Sequence, residues 1–60
     1  SEAYLDVWQT AYELVANILD RRGLDVGFRR QASLGLMAND LLREGISRSK
    51  VARVVATALP

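Results

Sequence analysis

From residue 2 to residue 22 apolar side chains recur with the period of an α-helix, and this long run restricts the fold more than any other part of the chain. With Tyr4 set at zero on a helical wheel, Ala3, Leu5, Val7, Trp8, Ala11, Tyr12, Leu14, Val15, Ala16, Ile18 and Leu19 fill an arc of roughly 220°. Glu2, Asp6, Gln9, Thr10, Glu13, Asn17 and Asp20 hold the remainder. A helix packed on one side of a small core needs a stripe of only about 100° or slightly more. The surplus must therefore be covered, either by two further helices that straddle the first or by a second copy of the chain. Val7 and Leu14 lie on one edge of the arc, Leu5 and Tyr12 on the other. Tyr4, Trp8 and Tyr12 gather on one side, which suits an interface core and also an intramolecular one. The reading favoured is a homodimer with Tyr4, Leu5, Val7, Trp8, Tyr12 and Leu14 at its interface.

Two more helices follow. Asp20, Arg21, Arg22 and Gly23 close the first, with cations in the last turn where they complement the macrodipole. Asp25 is placed to cap the second, expected over about residues 27–44, in which Leu34, Met37, Ala38, Leu41 and Leu42 form one stripe and Phe28, Ala32 and Leu36 a displaced one. Gly35 costs about 1 kcal/mol relative to alanine inside a helix and lets another helix approach. An alternative parse makes residues 24–29 a short strand, since Leu24, Val26 and Phe28 alternate with Asp25, Gly27 and Arg29, and starts the helix at Ser33. Gly45 ends the second pattern, and Ser47 caps a third helix by accepting from the backbone N–H of Ser49 or Lys50. Along it Val51, Val54, Val55, Ala58 and Leu59 share a stripe opposite Lys50, Arg53 and Thr57. The expected fold class is all-α, a small three-helix bundle with helices at about 2–22, 27–44 and 47–59. Its expected core is Trp8, Tyr12, Val15, Leu19, Leu34, Met37, Leu41, Val51, Val55 and Leu59.

Sixty residues make one domain, and a domain this small buries only about 60% of the surface its unfolded chain exposes. Cysteine and histidine are both missing, so no disulfide framework, thiolate nucleophile, imidazole base or ordinary zinc site can be built. The seven carboxylates do not cluster, and Gly23, Gly27 and Gly35 fit neither phosphate-loop pattern. Neither an enzyme, a cofactor nor a metal is expected. Half the residues are apolar and a quarter charged, the profile of a folded domain. No apolar run nears the roughly 18 residues of a membrane span and no signal peptide is evident, which sets the expectation of a cytoplasmic protein. A start at Ser1 without methionine suits a domain excised from a longer chain.

Net charge is +1 but unevenly spread. Residues 1–20 carry four acids and no base, and residues 21–60 carry eight bases against three acids, a local charge of +5. Seven of the eight bases are arginine, which suits bidentate contact with phosphate or carboxylate. Arg48, Lys50 and Arg53 stand at the start of the third helix, where first-turn amides already favour an anion. Duplex DNA is the first candidate to dock there, and the acidic face of residues 2–20 of a neighbouring subunit the second. The run Leu41, Leu42, Arg43, Glu44, Gly45, Ile46, Ser47, Arg48, Ser49, Lys50, Val51, Ala52, Arg53, Val54 resembles the turn and second helix of helix-turn-helix DNA-binding domains. It is similar also to the last half of ribbon-helix-helix repressors. The first resemblance implies that Arg48, Ser49, Lys50 and Arg53 meet base edges and that Arg43, with Arg29 and Arg30, contacts phosphates. Two functions are thus expected to compete, a protein-interaction module that binds itself or a partner helix, and a small DNA-binding domain.

Overall fold

The computed structural model describes residues 2–60, Glu2 by its backbone only. Three helices form: α1 (Glu2–Arg22), α2 (Phe28–Arg43) and α3 (Arg48–Thr57). With 21 residues α1 is about 31 Å long, and it spans the whole 32 Å long axis of the molecule. Residues 24–27 are a connection, Phe28 and Arg29 are helical, and no strand forms among the described residues.

Two helix ends share one device. Leu24 N–H donates to Leu19 O at 2.9 Å and Gly23 N–H to Asp20 O at 3.1 Å, while Ile46 N–H donates to Leu41 O at 3.2 Å and Gly45 N–H to Leu42 O at 3.0 Å. Both are Schellman closures, and both need a left-handed residue: Gly23 has φ 61° and Gly45 φ 87°. In each, the residue after the glycine, Leu24 or Ile46, folds back onto the core.

The starts differ from expectation at one helix. Asp25 does not cap α2: its Oδ1 accepts from Gly27 N–H at 2.9 Å, the bond that a short acidic side chain makes two residues on, and Gly27 is the cap residue without a side-chain bond. Ser47 does cap α3, accepting from Lys50 N–H at 3.3 Å. That helix ends at Thr57, with Ala58 as its cap, and not at residue 59, where Pro60 disfavours helical conformation at the residue before it.

α1 and α2 run antiparallel and make the most extensive helix contact. Their register is set by Tyr12 beside Gly35 and Tyr4 beside Arg43. α3 runs alongside α1 in the same direction, with Arg48 and Ser49 near Thr10 to Asn17 and Ala56 near Arg22. The buried core is Ala11, Val15, Leu19, Leu34, Ala38, Val51 and Val55, with Leu14, Ile18, Met37, Leu41, Leu42 and Leu59 among the partly buried side chains packed on it. Five of the ten expected core residues are fully buried, and Met37, Leu41 and Leu59 pack at the edge. Trp8 is only half-buried and Tyr12 is exposed. The small side chains Ala11 and Ala38 are fully buried, and the bulky rings of Trp8 and Tyr12 lie at the rim of the core.

Candidate functional site

The wide apolar arc of α1 is shared out unequally. Its centre, Ala11, Val15 and Leu19, is core, and the edge with Leu14 and Ile18 packs against it while lining a cleft with Arg48, Ser49 and Ala52 of α3. The opposite edge has no cover. Leu5 is 63% exposed and Tyr12 45%, and across the α1–α2 seam Phe28 is 87% and Leu36 51% exposed, with Tyr4 at 49% toward the start of α1. Phe28, Gln31 and Ala32 line a shallow recess with Tyr12. The exposed edge of α1 and the displaced stripe of α2 thus lie side by side as one open apolar face.

Aromatic packing stiffens that face. Trp8 and Tyr12 stack with centroids 5.6 Å apart, and Tyr4 meets Trp8 edge-on at 6.4 Å. The ring of Tyr12 lies so close over Gly35 that a Cβ there would stand 2.8 Å from Cε1. At the far end the Arg43 guanidinium sits 4.1 Å over the Tyr4 ring and donates to Tyr4 O at 3.1 Å, a cation–π and hydrogen-bond clamp joining the ends of α1 and α2.

Of the six side chains expected at an interface, Tyr4, Leu5 and Tyr12 are exposed on this face and Trp8 is half-buried between the two tyrosines. Leu14 belongs to the layer around the core, and Val7 is half-buried in a cleft with Leu42 and Arg48. Phe28 and Leu36 were missed as partners of Tyr12, although the displaced α2 stripe was their signal.

The seven expected anion-binding residues are not brought together. Arg43 is held by Tyr4, and Arg30 donates to Ala58 O at 3.0 Å, where a cation satisfies the end of α3. Arg29 is exposed at the start of α2. Arg48 and Ser49 line the α1–α3 cleft with Glu13, Asn17 and Arg21, and the Ser49 hydroxyl lies 3.3 Å from that of Ser47. Lys50 and Arg53 sit with Val54 and Thr57 on the outer side of α3. Arg53 also lines a second cleft with Arg21, Arg22, Ile18, Ala52 and Ala56. Arg21 and Arg22, outside the expected set, line these recesses as well, and the macrodipole of α1 accounts for them in the sequence.

Among the described residues no three His, Cys, Asp or Glu side chains stand together as a metal site, and no helix is long and apolar enough to cross a membrane. Comparison with protein-family models, with curated proteins and with solved structures finds no match. The class is therefore defined by the molecule itself: a small all-α bundle of three helices that presents an apolar face and a cationic one.

Proposed function

We propose that this chain is a non-catalytic protein-interaction module that forms a homodimer through the open α1–α2 face. The observation that carries this is the exposure of Leu5, Tyr12, Phe28 and Leu36, large apolar side chains left in water on two neighbouring helices, with Tyr12 and Phe28 lining one recess. An aromatic side chain presents about 150–250 Å², so Tyr4, Tyr12 and Phe28 together leave on the order of 350 Å² of residue surface uncovered. An uncovered area of that order, before the leucines are added, matches the largest apolar patch a single protein usually carries, and such patches are often functional. The total surface of 4232 Å² also exceeds the roughly 3,900 Å² expected for a folded chain of this mass. An isologous pair uses the same patch on both copies and so covers both at once, whereas a partner helix would cover one.

Sedimentation equilibrium tests this. The wild type is expected to be dimeric at high micromolar concentration, and Leu5→Glu with Leu36→Glu to give a folded monomer, because both side chains are exposed within the chain. A wild type that is monomeric under those conditions refutes the proposal.

A second reading, a DNA-binding domain of helix-turn-helix type, is supported by Lys50, Arg53 and Thr57 standing together on the outer side of α3. Its mark is a base-sequence preference that Lys50→Ala or Arg53→Ala relaxes.

A further inference from the structure

We propose that the cleft between α1 and α3 is a binding site for the phosphate backbone of nucleic acid, with Arg21, Arg22, Arg48 and Arg53 as its cationic walls. Two adjoining recesses make up the cleft, and they share Ile18, Arg21 and Ala52. The lower recess holds Arg21, Arg22 and Arg53 over an apolar floor with no carboxylate. The upper one holds Arg48 and Arg21 with one acid, Glu13, whose Oε1 accepts from Gln9 Nε2 at 3.1 Å, and on its other side Arg48 borders a recess that Asp6 also lines. None of the four guanidinium groups makes a hydrogen bond or ion pair among the described residues.

Intramolecular needs do not explain this grouping. Arg21 and Arg22 complement the C-terminal end of α1, but Arg53 facing them adds like charge, and Arg48 in the first turn of α3 opposes that helix's own dipole. An anion that reaches all four removes both penalties. Phosphate backbone fits better than an acidic helix. The acidic stripe this chain itself offers, Asp6, Glu13 and Asp20, places one carboxylate per seven residues, about 10 Å apart, whereas a duplex carries one charge per roughly 1.7 Å of its axis. The inference depends neither on the dimer nor on base reading by α3. The cleft uses the Leu14–Ile18 edge of α1 and the open apolar face the Leu5–Tyr12 edge, so both can be occupied together.

The test is a fluorescence-anisotropy titration of a labelled, mixed-sequence DNA duplex with the full chain over a range of salt concentrations. Neutralising four phosphates gives a log–log slope of about −3.6 and a loss of affinity of about 100-fold between roughly 50 and 200 mM salt. Arg21→Gln with Arg22→Gln should halve that slope to about −1.8 while leaving the circular dichroism spectrum and the sedimentation mass unchanged. The charge-keeping pair Arg21→Lys and Arg22→Lys should retain the slope, as should Arg29→Gln, which lines neither recess. No salt-sensitive binding, or an unchanged slope in the glutamine pair, overturns the proposal. So does an acidic helical peptide that binds where the duplex does not and is lost in the glutamine pair, which would assign the cleft to a protein.

Discussion

Asn39 buries its side chain to 3% exposure, and its Oδ1 meets no donor among the described residues. The antiparallel register explains its burial: Tyr12 stands by Gly35 and Tyr4 by Arg43, so Asn39, one turn from each, lies at the level of Trp8 in the α1–α2 seam. It falls off the Leu34–Leu41 stripe and onto the displaced one of Phe28, Ala32 and Leu36, where a polar side chain does not register in an apolar pattern. Burial here comes from the close approach of α1, which a pattern within one helix does not record. A buried acceptor without a partner costs roughly 1–3 kcal/mol. Leucine has the same branching and heavy-atom count without the polar atoms. Asn39→Leu is therefore expected to raise stability by about 1 kcal/mol or more, seen as a higher urea midpoint. A lower midpoint would show that the buried amide is not a net cost to the fold.

At the level of elements, helix ends were the most legible part of the chain. Gly23 and Gly45 end helices because the Schellman closure needs a left-handed residue, and Ser47 starts one because its hydroxyl can satisfy a free amide; both are local rules that the residues carry by themselves. Which side of each helix is covered is not local. The arc of α1 fixed the angles of Val7, Leu14, Leu5 and Tyr12 but not which edge α3 would take, and α3 took the Leu14 edge. Likewise the α2 stripe pointed to Leu34 and Leu41, but the expected core took Met37 and not Ala38, whereas Ala38 is fully buried and Met37 only partly so. The local rules give a test free of packing: nothing stands within 4 Å of a Cβ added at Gly45, whose φ is 87°. Gly45→Ala should thus lower stability only through its backbone, by about 1–2 kcal/mol, with the helical circular dichroism signal retained at low temperature. An alanine variant as stable as the wild type would show that the α2–α3 turn has an alternative closure.

For the whole molecule, size sets the terms. The seven fully buried apolar residues include two alanines and three valines, a small interior for a chain of 60 residues, and domains of this size are marginal without added support. Disulfide support is excluded by the lack of cysteine, which leaves association as the route that the uncovered rings of Tyr4, Tyr12 and Phe28 suggest. If the α1–α2 face is buried between copies, folding and dimerisation are linked, and anything that binds only the folded form raises its apparent stability by mass action. The thermal midpoint should then rise with protein concentration in the wild type. In the Leu5→Glu, Leu36→Glu variant it should be lower and independent of concentration, since neither leucine contributes to the interior. Salt separates this linkage from the cationic cleft. Apolar docking should change little with ionic strength, whereas like-charge repulsion among Arg21, Arg22, Arg48 and Arg53 is screened by it, so moderate salt should raise the midpoint of both proteins by a similar amount. A midpoint independent of concentration in the wild type would mean that the three helices are stable alone and that the open face is not where this protein finds its support.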